Sequence, residues 1–155
     1  MTRRQLRENV FALLFRAEFY APEDMNEQTS LFREELEQAN TAYEEHTAEP
    51  ADEVGPVLSA GKVNEADKAY ITKKAQAVME MIPQIDAAID EAAERWKTGR
   101  MGKVELTLLR LAYYEMKYDD DVPPSVAIDE AVELAKRYGQ DGAGAFVNAV
   151  LAKLV

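Results

Sequence analysis

The chain has 155 residues, 47% of them apolar and 30% charged, with a net charge of −11 and no cysteine. A chain of this size buries roughly two thirds of its unfolded surface, and the composition excludes a disordered chain, a disulfide scaffold, a thiolate metal site and a cysteine nucleophile. No run approaches the ~20 apolar residues of a membrane span, and the charged start MTRRQLREN does not fit a secretory signal, so a cytoplasmic protein without membrane contact is expected.

The elements read as helices throughout. Thr2 and Gln5 have the form of a capping box, after which Leu6, Val10, Leu13, Leu14 and Ala17 recur at helical spacing until Pro22. Met25, Phe32, Leu36 and Ala39 predict a second helix over 23–42. From Tyr43 to Val63, Pro50, Gly55, Pro56 and Gly61 lie among acidic and small residues with no apolar period, as in an exposed, mobile loop.

Asn64 caps a predicted third helix with Ala66, Tyr70, Ile71, Ala75, Val78, Met79 and Ile82 on its stripe, ending at Pro83. Pro83 marks the boundary between an N-terminal lobe, 1–82, and a C-terminal lobe, 83–155. It also opens a fourth helix carrying Ile85, Ala88, Ile89, Ala92 and Trp96 as far as Thr98 and Gly99. Residues 103–118 are apolar around much of the helix circumference, which suits the centre of the second lobe. Pro123 and Pro124 start a sixth helix with Ile128, Ala131, Val132, Ala135 and Tyr138, closed by Gly139. A turn holding Gly142 and Gly144 leads to a terminal helix over 145–155 with Phe146, Val147, Val150, Leu151 and Leu154. About seven helices in two small bundles, three and then four, define an all-α class; strand alternation is absent.

The charge is unevenly placed. Residues 1–17 carry +3, residues 18–67 carry −12 and residues 68–155 carry −2. The first helix is thus a local basic patch on a chain whose remainder repels polyanions, so nucleic acid would bind weakly without a basic partner. Arg3, Arg4 and Arg7 share that helix with Phe11 and Phe15 at i, i+4 steps, a pattern that offers phosphate contacts beside a stacking surface. The same pattern also describes a solvated helix end over core aromatics.

Other constellations carry no chemistry. His46 is the single histidine and sits in the acidic loop, so paired-His metal sites are excluded and a triad would depend on it alone. Glu130 and Glu133 have no partner histidine for a di-iron site, Asp119–Asp121 lack calcium-loop spacing, and Gly142 and Gly144 follow a helix, so they form no phosphate-cradling loop. No catalysis and no cofactor are expected.

Taken together, RRQLRENVFALLF, VELTLLRLAYYE, VPPSVAIDEAVELAKRYG and FVNAVLAKL resemble the NusB family of transcription antitermination factors, over the whole chain apart from the acidic loop. The resemblance implies two helical bundles and a non-catalytic adaptor. It would bind the boxA element of ribosomal RNA transcripts, pair with the ribosomal protein NusE, and serve the antitermination complex of RNA polymerase. It further implies that Arg3, Arg4, Arg7 and Phe146 contact RNA and that Phe15 and Glu105 contact the partner. Some family members form homodimers through the NusE surface. The chain departs from the family at Ala145, where a basic residue is usual, at Gly142 and Gly144 in place of polar residues, and at Ala149 in place of glycine. The competing reading is a protein-only helical scaffold, or a self-associating form, without significant RNA affinity.

Overall fold

Thr2 opens the first helix as its sequence requires: its Oγ1 accepts from the Gln5 N–H at 3.1 Å, while Gln5 Oε1 accepts from the Thr2 N–H at 2.9 Å. A computed structural model describes residues 1–44 and 63–155, with side chains described in 1–39 and 63–155. The described residues form seven α-helices and no strand. The chain divides into two units, Met1–Ala77 and Val78–Val155. The division falls inside the third helix, ahead of Pro83. Proline in the first turn of a helix removes no needed N–H, so Pro83 is accommodated in the next helix.

In the first unit, α1 (Arg3–Phe15) buries Val10, Phe11, Leu13 and Leu14. It tightens into a 3-10 turn at Arg16–Glu18, so Ala17 lies beyond the α-helix, which ends well before Pro22. A second 3-10 turn, Pro22–Asp24, leads into α2 (Met25–Glu44), whose core stripe is Met25, Phe32 and Leu36. Tyr43 and Glu44 belong to this helix and not to a loop, since neither residue breaks helical propagation. The rest of the expected acidic loop lies outside the described residues, except Val63, which is buried.

Asn64 caps α3 (Glu65–Glu80): its Oδ1 accepts from the Asp67 N–H at 2.8 Å. The buried face of α3 is Ile71, Ala75 and Val78 together with Lys68 and Lys74; Ala66 and Tyr70, expected on that face, are exposed. Lysine stems cover apolar surface as well as a small or aromatic residue does when the ammonium is satisfied. Lys68 meets that condition between Glu37 and Glu65, at 3.1 and 2.9 Å, and Lys74 donates to the Tyr70 hydroxyl at 3.0 Å.

In the second unit, α4 (Ile82–Ala92) buries Ile85 and Ile89. It stops short of Trp96, which sequence spacing placed on its stripe. Asp90 and Lys97 cause the stop: Asp90 Oδ1 accepts from the Thr98 N–H at 2.6 Å, and Lys97 Nζ donates to the carbonyls of Asp90 and Ala93 at 2.7 and 2.8 Å. A 3-10 turn at Thr98–Arg100 follows.

The central helix α5 (Lys103–Tyr118) buries Leu106, Thr107, Leu108, Leu109, Leu111 and Ala112, as its all-round apolarity predicts. It packs on α4, on α6 (Pro124–Tyr138) and on α7 (Ala143–Leu154). Arg110 ties it to α4 through two 2.8 Å hydrogen bonds to the Asp86 carboxylate. The buried face of α6 is Ala127, Ala131, Leu134 and Ala135, rotated from the expected stripe, so Ile128, Val132 and Tyr138 are only half-buried. α7 begins at Ala143, earlier than 145, because Ala143 and Gly144 are buried against α6 rather than left in a turn. A Cβ on Gly139 would lie 2.6 Å from Ala143 Cβ and 2.7 Å from the Ala135 carbonyl, so this corner needs a residue without one.

Candidate nucleic-acid interface

The capping box fixes where the arginines stand. Arg3 and Arg4 occupy the first two helical positions and are exposed, and Arg7 follows one turn later, half-buried. The first turn of α1 contains no acidic residue, so the positive end of the helix dipole and the guanidinium groups add, and an anion is favoured there. The fourth arginine of the basic segment is committed to the fold. Arg16 donates to Glu35 Oε2 at 2.5 Å and to Gln28 Oε1 at 3.2 Å, and its guanidinium lies 5.1 Å from the Phe32 ring centre.

The aromatic stripe is displaced from its expected position. Phe11 is core, 4% exposed. Phe15 is half-buried, with its ring 5.8 Å from Phe11 and 5.1 Å from Phe19, the latter edge-on. Phe19 is 57% exposed and Tyr20 is exposed beside it, so the accessible aromatic surface is Phe15, Phe19 and Tyr20. The i, i+4 ladder from Phe11 already extended to Phe19 in the sequence.

In the second unit, Glu105 and Phe146 line one open cleft of about 420 Å3, together with Trp96, Arg100, Gln140 and Asp141. The first turn of α5 places Glu105, whose carboxylate lies against Gly102: a Cβ there would meet Oε2 at 2.2 Å. The negative group thereby sits at the positive end of α5. Phe146 is half-buried on α7, and the preceding Ala145 is exposed and supplies no cation. Cationic groups come from elsewhere. Arg95, Lys97, Arg100 and Lys103 follow one another with no acidic residue between them, a cluster that the −2 total of residues 68–155 averaged away. Lys97 caps α4, while Arg95 and Arg100 are exposed.

Arg3, Arg4, Arg7 and Phe15 therefore belong to the first unit, and Glu105 and Phe146 to the second, where the last two share a cleft. His46 lies outside the described residues. Asp119 and Asp121 form a turn, with Asp119 Oδ1 accepting from the Asp121 N–H at 3.0 Å. Among the described residues no group of three or more His, Asp and Glu is placed to hold a metal ion, and no helix is long and apolar enough to cross a membrane.

Two helical units, one presenting arginines at a capped helix start and the other an aromatic-lined cleft, make up an all-α protein. The model of the NusB family matches residues 4–155, and the chain belongs to that family. It is 45% identical to the transcription antitermination protein NusB of Agathobacter rectalis over 153 residues, 99% of this chain and 98% of that one. The structure of T. maritima NusB is similar with a TM-score of 0.72 at 29% identity, covering 99% of this chain and 90% of that one. A crystal structure of the antitermination factors NusB and NusE in complex with dsRNA shares the fold, with a TM-score of 0.68 at 24% identity over 98% of this chain and 94% of that one.

Proposed function

We propose that the chain is a non-catalytic RNA-binding adaptor in transcription antitermination, which binds boxA-type RNA of ribosomal RNA transcripts jointly with NusE in the cytoplasm, within the antitermination complex of RNA polymerase. The observation that carries this reading is the exposure of Arg3 and Arg4 at a capped helix start with no acidic residue in its first turn. Family membership and the NusE and dsRNA content of the structural neighbour support it. Arg3, Arg4 and Arg7 neutralise backbone phosphates and release counterions. Phe146 takes a base, and Phe15 and Glu105 face the protein partner, one through its ring and one through its charge.

A total charge of −11 slows unaided approach to RNA, so a basic partner that masks part of it raises the affinity of the pair. The Phe15 and Glu105 surface assigned to NusE is also where a homodimer would form, so NusE and self-association exclude one another. Fluorescence anisotropy of labelled boxA RNA at low salt tests the adaptor: the chain with NusE binds more tightly than NusE alone. Equal affinity refutes the reading and leaves a protein-only scaffold.

A further inference from the structure

We infer that the cleft of the second unit receives one unpaired guanine of the bound transcript, with the base against Trp96 and Phe146, its Watson–Crick edge on Asp141 and a flanking phosphate on Arg100. The inference rests on the RNA-binding reading above and names what that surface selects.

Trp96 is the only tryptophan of the chain and is 52% exposed. Its exposure is built in. Immediately after it in the chain, Lys97 Nζ is bonded to the Asp90 and Ala93 carbonyls, and Thr98 donates to both Asp90 oxygens, through its N–H at 2.6 Å and its hydroxyl at 3.1 Å. The backbone leaving Trp96 is thus held, which lowers the ordering cost of binding at the exposed ring. Phe146, held on α7, lines the same cleft, so two aromatic side chains from separate elements bound one space. Its volume of about 420 Å3 falls within the roughly 300–1,000 Å3 of small-ligand sites.

An aromatic surface is open only to an unpaired base, because bases in a duplex expose edges and not faces. Arg100 supplies an exposed guanidinium at the same cleft, with Arg95 close in sequence. The base is chosen by the carboxylates. Asp141 is exposed in the cleft and, when ionised, only accepts hydrogen bonds. Guanine alone presents two adjacent donor groups on its Watson–Crick edge, the ring N1–H and the exocyclic amine, and so meets both oxygens of one carboxylate. Adenine and cytosine place a ring acceptor beside their amine, and uracil flanks one N–H with two carbonyls, so each sets an oxygen or nitrogen lone pair against the carboxylate. Glu105, whose carboxylate lies against Gly102, is left to the protein partner.

The single tryptophan makes the test direct. The full chain is titrated with four short U-rich RNAs that differ only in a central G, A, C or U, following tryptophan emission and, in parallel, the anisotropy of a label on the RNA. The guanine RNA quenches the emission saturably and binds about tenfold more tightly than the others. Asp141→Asn retains binding and loses the guanine preference, Arg100→Ala weakens all four RNAs alike, and Trp96→Ala costs all four about tenfold in affinity, which Trp96→Phe restores, with the guanine preference kept in both. RNA binding by anisotropy with unchanged emission, or equal quenching by all four bases, overturns the inference and leaves the adaptor reading standing. Loss of the guanine-dependent quenching and preference once NusE is bound assigns the cleft to protein and also overturns it. Absence of RNA binding even with NusE present removes the adaptor reading and the inference together.

Discussion

Replacing Arg3, Arg4 and Arg7 by alanine isolates the electrostatic core of the proposal. Arg3 and Arg4 are exposed and Arg7 is half-buried, and all three lie within the first turns of α1, so the proposed interface assigns one phosphate to each. On single-stranded RNA each contact contributes ~0.7 to the slope of log affinity against log salt, so the triple variant flattens the slope by about 2. Between ~50 and ~200 mM salt the parent chain then loses about twentyfold more affinity than the variant. Anisotropy titrations of the chain with NusE across that range measure both slopes. Arg16→Ala is the internal control: this arginine is held by Glu35 and Phe32, so its loss lowers stability by about 1 kcal/mol and leaves the slope alone. An unchanged slope in the triple variant, or a flattened one in Arg16→Ala, refutes the assignment of the patch.

Thr2→Ala removes the side-chain half of the capping box, costs about 1 kcal/mol in urea unfolding and frays the arginine-bearing turn, so RNA affinity falls with it. Gly139→Ala places a methyl against backbone and destabilises by about 1–3 kcal/mol, whereas Gly99→Ala, with nothing within 4 Å of its Cβ, changes the unfolding midpoint little; equal effects would show the corner is looser than described. Lys68 gains hydrogen bonds to Glu65 and Glu37 on folding, which raise its pKa above 10.5, and the same bond and charge lower that of Glu65 below 4.5. The Lys68 contribution is complete below its unfolded pKa and is lost as pH rises through the higher folded value; that of Glu65 is complete above its unfolded pKa and is lost as pH falls through the lower folded one. Thermal midpoints therefore decline at both pH extremes, and Lys68→Met removes this pair's share of both declines; identical pH profiles for parent and variant would contradict the bridge.

Helix type and order were legible because apolar spacing and capping residues agreed: Thr2 with Gln5, Asn64 before α3, and Pro124 at the start of α6. Ends and faces were less so, for reasons outside local periodicity. Trp96 continues the spacing of Ile85 and Ile89, yet a side chain eight residues from Thr98 stops the helix first. Lys68 and Lys74 replaced Ala66 and Tyr70 on the buried face because their charges find partners in the folded chain. The arginine patch could be read from residues 3–7 alone, whereas the cleft joins segments around 96, 105 and 141–146 that sequence spacing does not bring together. Net charge by segment hid the cations of 95–103, since carboxylates elsewhere in the segment cancelled them.

The corner between α6 and α7 divides positions by their freedom to vary. A Cβ on Gly139 would run into the Ala135 carbonyl and Ala143, and Gly142 adopts a φ of +84°, so neither accepts a side chain without strain. Gln140, Asp141 and Ala145 are exposed between and beside them. An exchange at one of those three positions can therefore alter what the surface meets without disturbing the backbone of the corner.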